Sequence, residues 1–571
     1  MLAQSSRFGL LLTAAVMSFA TSADAQRAPV ETHRVATMAG KSPVYAPNGV
    51  AATSQPLATT AAIEVMEHGG NAIDAAVAAA GVLAVVEPMM TGPGGDMFAI
   101  VWSAKEKKLV ALNASGRAGS LMSREELVKR GRTRMPSRGI ETVTVPGAVA
   151  GWDALLKKYG TMTLSQVLQP AIGYADKGFV VTPVISGDWA GQRTILANDE
   201  GARATFLVEG EPPKAGDWFR NPDMANSLRQ IAKEGPAALY GGTLGQKIIA
   251  HVQKLGGFLT LDDLKKNQPT WVTPSSTMFK GYRVWELPPN NQGVAVLEML
   301  RILDTYDLKG MGQNSAPYLH HLIEAKKLAY ADLGRYIGDA DHLTVPVNRL
   351  LADDFIAERR SHIDEKKAMT QTEPGPARTS SETVYLTVAD KDGNMVSFIN
   401  SNFDEFGSGV VVPGTGFALH DRGAGFTMDP GLPNTVAPGK RPFHTLIPGF
   451  VTKPGANSAA DGTGDEPYMS FGLMGGAMQA QGHAQFLINL LVFGQNIQQA
   501  QDAARFRHMS GTRVIVESAM PDDVIAQLRA LGHDVNIANP SQFGGSQAII
   551  KLAHGYVAGS DPRKDGHAAG Y

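Results

Sequence analysis

Apolar residues along this chain fall into runs of two lengths. Residues 72–86 are apolar almost throughout, which predicts a helix buried on all sides and capped by Asn71. Ahead of it, 57–68 reads as a helix stopped by Gly69-Gly70. The shorter runs 97–102 and 108–113, joined by the charged turn 104–107, predict two strands. Ser165 is expected to cap a helix running to Lys177, and 282–287 a strand ended by Pro288-Pro289. Further helices are expected over 293–304, 316–337 and 479–491. The pattern stops at 366–381 (KKAMTQTEPGPARTSS), a polar stretch that Pro374-Gly375-Pro376 keeps from regular structure. Directly after it, 383–389 alternates as a strand, Asp392-Gly393 marks a hairpin turn, and 395–401 is the return strand. A second polar insert, 454–466, reads as an exposed loop. Strands and helices mix throughout, with hairpin signals instead of a βαβ rhythm, so a layered sheet-and-helix fold is predicted.

Composition narrows the chemistry. The 571 residues predict three or four ordinary domains by length alone. The chain has no cysteine, which excludes a thiol nucleophile, cysteine-ligated zinc, an iron–sulfur cluster and a redox disulfide. A net charge of −2 gives no hint of nucleic acid as a partner. At the N-terminus, Arg7 precedes an apolar run over 8–20, followed by the small-residue site Ser22-Ala23-Asp24-Ala25-Gln26. This reads as a signal peptide over 1–25, cut after Ala25, with export to a bacterial periplasm and no stable membrane insertion.

Few residues suggest chemistry by type and spacing. His320, His321 and Glu324 lack an H-E-x-x-H pattern and read as a polar helix surface, not a metal site. Gly92–Gly95 is a weak candidate for a phosphate cradle. Gly475-Gly476, just before a helix, reads either as an oxyanion site or as a packing turn. Thr383 opens a strand straight after the Pro/Gly-rich stretch. Were the chain cut before it, its hydroxyl would lie beside its own α-amine, whose reference pKa is about 7.7–8.0. That is nucleophile and base in one residue; the plain alternative is a strand-initiating threonine.

Four longer motifs bear on that choice: EHGGNAIDAAVA from Glu67, YGTMTLSQVLQPA from Tyr159, TVYLTVADKDGN from Thr383 and GSDPRKDGHAAGY from Gly559. With them the chain, from about residue 50 to 571, resembles the γ-glutamyltransferase (glutathione hydrolase) family of N-terminal nucleophile hydrolases. The resemblance implies a four-layer αββα sandwich and self-cleavage between Glu382 and Thr383. A large subunit, 26–382, and a small subunit, 383–571, would then form a heterodimer around one composite domain. It implies Thr383 as nucleophile and α-amine base, Gly475 and Gly476 as oxyanion hole, and Ser401 as the hydroxyl that orients the nucleophile. It implies Arg117 as the grip on the donor carboxylate, and neither cofactor nor metal.

Departures from the family pattern point to a narrower branch. Where the family's transferases carry an aspartate for the donor's α-amino group, this chain has Gly425, and Phe403 stands in place of an asparagine. His444-Thr445 replaces a Ser-Ser pair after Lys440-Arg441-Pro442, and the stretch 426–440 is short, as in lidless, acylase-like members. Arg422 adds a cation, so Arg422, His444 and Thr445 join Arg117 as candidate substrate-binding residues. Asp421, Asp404 or Glu405 could replace the missing carboxylate. The activity implied is hydrolysis of glutathione or another γ-glutamyl amide through an acyl-threonine, with transfer to an acceptor amine as an option. Alternatives are a glutaryl or cephalosporin acylase-like hydrolase of dicarboxylic half-amides, and a weakly catalytic periplasmic amide- or peptide-binding protein.

Overall fold

The computed structural model describes residues 41–370 and 382–571. The expected leader over 1–25, its cut after Ala25 and most of the linker (371–381) lie outside the described residues. The described residues form one unit instead of the three or four domains suggested by length, because both seven-stranded sheets draw strands from before and after the linker.

The first sheet runs in the order Val44–Ala46, Tyr556–Ser560, Ser546–Lys551, Glu466–Leu473, Gly449–Lys453, Tyr282–Glu286, Ser275–Phe279. The second runs His567–Gly570, Val50–Thr53, Glu382–Ala389, Met395–Phe403, Asp96–Ser103, Lys108–Ala114, Thr270–Val272. Every pairing in both is antiparallel.

The strand Asp96–Ser103 explains the layering. All eight of its residues are buried, which requires cover on both faces of its sheet. Phe98, Ile100 and Trp102 point one way, into a core shared with Trp285, Phe450 and Ile549 of the other sheet. Met97, Ala99 and Val101 point the other way, into a core built on the helices Pro56–Glu67 and Ala72–Val86. A third core packs Gly293–Leu303, Ala316–Tyr336 and Met478–Leu491 on the outside of the first sheet. The order is helix, sheet, sheet, helix, the predicted αββα sandwich.

Local expectations hold with small shifts. Asn71 closes a capping box with Asp74, as its position before an apolar run predicts. Thr163, not Ser165, caps the next predicted helix, through a capping box with Gln166. That helix breaks into Leu164–Val167 and Gln169–Lys177, where Pro170 starts the second piece. Among the described residues, no helix is long and apolar enough to cross a membrane.

Candidate active site

The hairpin after the linker is irregular at its open end. Glu382 pairs with Phe403 but Val384 with Asn400, so the second strand carries one extra residue opposite Thr383. Phe403 absorbs the bulge with φ +83°, uncommon for a large aromatic side chain. Thr383 is fully buried, and its hydroxyl donates to Ser401 Oγ at 3.3 Å. The Phe403 N–H donates to the same oxygen at 2.8 Å, which fixes the serine under the threonine.

Beside this pair lies a carboxylate that sequence reasoning missed. Asp96 sits across the strand ladder from Ser401 and is fully buried. Its Oδ1 accepts from the N–H groups of Gly116 (3.0 Å) and Gly147 (2.9 Å). Its Oδ2 lies 2.9 Å from His444 Nε2 and 3.4 Å from His420 Nδ1. Burial opposes its charge, but His420, His444 and Arg422 together hold its carboxyl below the usual range. An ionised Asp96 makes His444 Nε2 the donor, and burial holds that imidazole at about 3, so it is neutral near pH 7. The turn 92–95, considered as a phosphate cradle, has a packing role instead. A Cβ on Gly95 would come 2.5 Å from the Ser401 carbonyl oxygen, so glycine lets the turn lie against the strand Met395–Phe403. The signal for Asp96 was available: one carboxylate heading an otherwise apolar strand must be paired if buried.

Gly475 and Gly476 follow the strand Glu466–Leu473 and precede the helix Met478–Leu491, with φ +111° and +60°. Their carbonyls accept from Met478 and Gln479. Gln292 ties this turn to the rest of the site, donating to Gly476 O (2.8 Å) and Thr445 O (2.6 Å). Tyr330 donates to Ala477 O at 2.6 Å and to Gln292 Oε1 at 3.2 Å.

Gln292, Tyr330, Phe403, Asp404, Gly425, Thr445 and Ala477 all line one cleft of about 1030 Å³. Its loop wall, 131–138, contributes Arg132, Arg134 and Arg138. Arg422 is fully buried against this lining. It donates from Nη1 to Thr445 Oγ1 at 3.1 Å, and its guanidinium carbon stands 4.5 Å over the Phe403 ring. Among the described residues, its Nε and Nη2 have no hydrogen-bond partner. Burial pulls its pKa down to about 10, so it stays cationic at neutral pH. Between Phe443 and Thr445, which line the cleft, His444 turns its ring to Asp96 and Phe98.

The three candidate replacement carboxylates differ in placement. Asp421 is fully buried, and burial with the nearby Asp404 charge pushes it well above the usual range, so it is a poor ammonium partner. Glu405 accepts from Gln192 Nε2. Asp404 lines the cleft, with Arg138 Nε 3.6 Å from its Oδ2. Gly425 leaves no room for a carboxylate of its own: a Cβ there would lie 2.4 Å from Phe443 O.

Two further candidates lie elsewhere. Arg117 ion-pairs with Asp339 (3.1 Å) and Asp341 (3.5 Å), donates to Gly439 O, and is not among the residues lining the cleft. His320, His321 and Glu324 are buried, correcting the expectation of a polar surface, because the helix Ala316–Tyr336 is covered on all but a few positions. His320 Nδ1 lies 2.8 Å from His533 Nε2, and Glu324 accepts from Met369 N at 2.9 Å. His320, Glu324 and His533 could by spacing hold a cation, but Lys327 Nζ sits 2.8 Å from Glu324 Oε1 and donates to Met369 O. The cluster clamps the first residues of the linker at Met369.

Comparison with known proteins identifies the family. The family model described as gamma-glutamyltranspeptidase matches residues 58–571. The glutathione hydrolase-like YwrD proenzyme of Bacillus subtilis is 36% identical over 525 residues, covering 90% of this chain and 97% of its own. The oxamate amidohydrolase proenzyme of Klebsiella pneumoniae is 35% identical, covering 92% and 98%. Among solved structures, the cephalosporin acylase of Bacillus halodurans superposes with a TM-score of 0.87 at 40% identity, over 95% of this chain and 99% of that one. With the family model matching from the first buried helix to the last residue, the chain belongs to the gamma-glutamyltranspeptidase family and is an enzyme of it.

Proposed function

We propose that this protein is an exported amidohydrolase for half-amides of dicarboxylic acids, acting through Thr383 after self-cleavage between Glu382 and Thr383. One observation carries the acyl preference: Arg422 is buried against the cleft lining with Nε and Nη2 unpartnered. A guanidinium with two free donors suits the far carboxylate of an acyl group. Closure of position 425 to a side chain removes the family's usual ammonium partner. Support comes also from two relatives. Oxamate is the monoamide of oxalic acid, and a cephalosporin acylase has the same fold at 40% identity.

In this reading, cleavage frees the Thr383 α-amine. The amine takes the hydroxyl proton as Oγ attacks the amide carbonyl. The N–H groups of Gly475 and Gly476 hold the oxyanion, the amine product leaves with the proton, and water hydrolyses the acyl-threonine. Ser401 orients the nucleophile, Thr445 and His444 position Arg422, and Arg117 braces Asp339 outside the cleft. No cofactor takes part. The large and small subunits, 26–382 and 383–571, remain together as a heterodimer after loss of the leader 1–25.

Asp404 favours a second reading, a γ-glutamyl donor such as glutathione, because this carboxylate lines the cleft where a donor ammonium can meet it. Matched glutaryl, γ-glutamyl and butyryl anilides separate the two. The half-amide reading expects glutaryl to be cleaved at least as fast as γ-glutamyl, with butyryl slowest. Cleavage of γ-glutamyl anilide tenfold faster than glutaryl overturns it.

A further inference from the structure

Arg422 depends on its neighbours for its orientation. Among the described residues its one hydrogen bond goes to Thr445, and its flat face rests on Phe403. Thr445 is itself held in two ways. Gln292 takes its carbonyl, and the residue before it, His444, is pinned by its ring to Asp96. Asp96 is in turn locked by two backbone N–H groups from the large-subunit side, those of Gly116 and Gly147. A continuous path of hydrogen bonds and one peptide link thus runs from the head of the strand Asp96–Ser103 to the guanidinium.

We infer that Asp96, acting through His444, is a positioning residue that sets Arg422 for anionic acyl groups and so determines acyl specificity. The inference rests on the reading of Arg422 as the partner of the acyl carboxylate. The physical case is one of tautomer and charge. With Asp96 ionised, His444 must donate from Nε2, which fixes the ring plane and the segment 443–445. Asp96 also supplies buried negative charge beside an arginine whose remaining donors await an anion, so the guanidinium stays cationic in the free enzyme. Asparagine at 96 keeps the shape but offers His444 an amide and removes the charge.

The test compares acyl discrimination, the ratio of kcat/KM for glutaryl anilide to that for butyryl anilide. D96N is expected to lower this ratio at least tenfold, mainly through a higher KM for the glutaryl donor. H444L is expected to do the same, whereas H444Q, whose amide nitrogen can still donate to Asp96, retains most of it. An unchanged ratio in D96N and H444L overturns the inference, as does an equal loss on both donors through kcat. If D96N fails to fold, the H444L and H444Q pair decides by the same ratio. R422Q separates this inference from its premise. If R422Q keeps the glutaryl preference, the acyl-carboxylate reading itself falls. If R422Q loses it while D96N and H444L keep it, only the role of Asp96 falls.

Discussion

The guanidinium of Arg422 lies 4.5 Å over the ring of Phe403, and Phe403 holds φ +83° to put its ring there. The residue that relieves the bulge opposite Thr383 therefore also floors the cation. Thr383, the proposed nucleophile, and Arg422, the proposed anion partner, thus share one backbone irregularity. Replacing Arg422 with glutamine removes a charge-assisted bond of about 1.5–3 kcal/mol. The expected result is a loss of roughly 10- to 150-fold in kcat/KM on glutaryl anilide. The loss on butyryl anilide, measured in parallel, should be several-fold smaller.

Processing gives a direct check on Thr383. At 60.6 kDa over 571 residues, spans 26–382 and 383–571 correspond to about 38 and 20 kDa. Thr383→Ala should leave one uncut band on a denaturing gel, and Ser401→Ala should slow the cut without abolishing it. A T383A chain that still splits at the same bond defeats the self-processing mechanism.

Gly425→Asp tests whether the transferases' ammonium site can be restored by one substitution. The Cβ would sit 2.4 Å from Phe443 O, and the backbone must move to admit it. Overpacking of this kind costs about 1–3 kcal/mol. The variant should melt several degrees lower and show no gain of γ-glutamyl over glutaryl cleavage. A stable variant with a raised γ-glutamyl rate contradicts the packing argument.

A pH effect follows from His483, buried between Leu473 N (3.1 Å) and Glu286 Oε1 (2.8 Å). Burial holds its pKa at about 3, below the ordinary 6.5, so the native state favours the neutral ring. Its contribution to stability is complete above pH 6.5 and drains as the pH falls toward 3, by up to about 1.4 kcal/mol per pH unit. His483→Gln should therefore lower the melting temperature at pH 8 and lose that penalty near pH 4.5. A penalty that stays constant between those pH values rules this out.

Much of the fold was readable because its signals are local. An all-apolar 72–86, a capping Asn71 and a hairpin at Asp392-Gly393 each state a structure within a few residues. Thr383 stood out for the same reason, since it follows directly on a Pro/Gly-rich break. What escaped depends on pairing across the sandwich. Asp96 looks like the end of a glycine turn until Ser401 and His444 are brought to it from 305 and 348 positions away. His320 and Glu324 look like surface until the helix carrying them is covered on almost all sides. Arg117 stood out by motif position, and its ion pairs with Asp339 and Asp341 are likewise contacts that only the fold brings together.

The strand Glu382–Ala389 lies inside its sheet, with Val50–Thr53 on one side and Met395–Phe403 on the other. A break at its first peptide bond would consequently produce two polypeptides that both lend strands to each seven-stranded sheet. Uncut, the chain can refold alone, because all its strands are tethered. Once cut and melted, the halves must find each other in solution before either sheet can close. Maturation on this plan trades reversibility for a free amine, and heating should inactivate the mature enzyme permanently at temperatures from which the T383A precursor recovers on cooling.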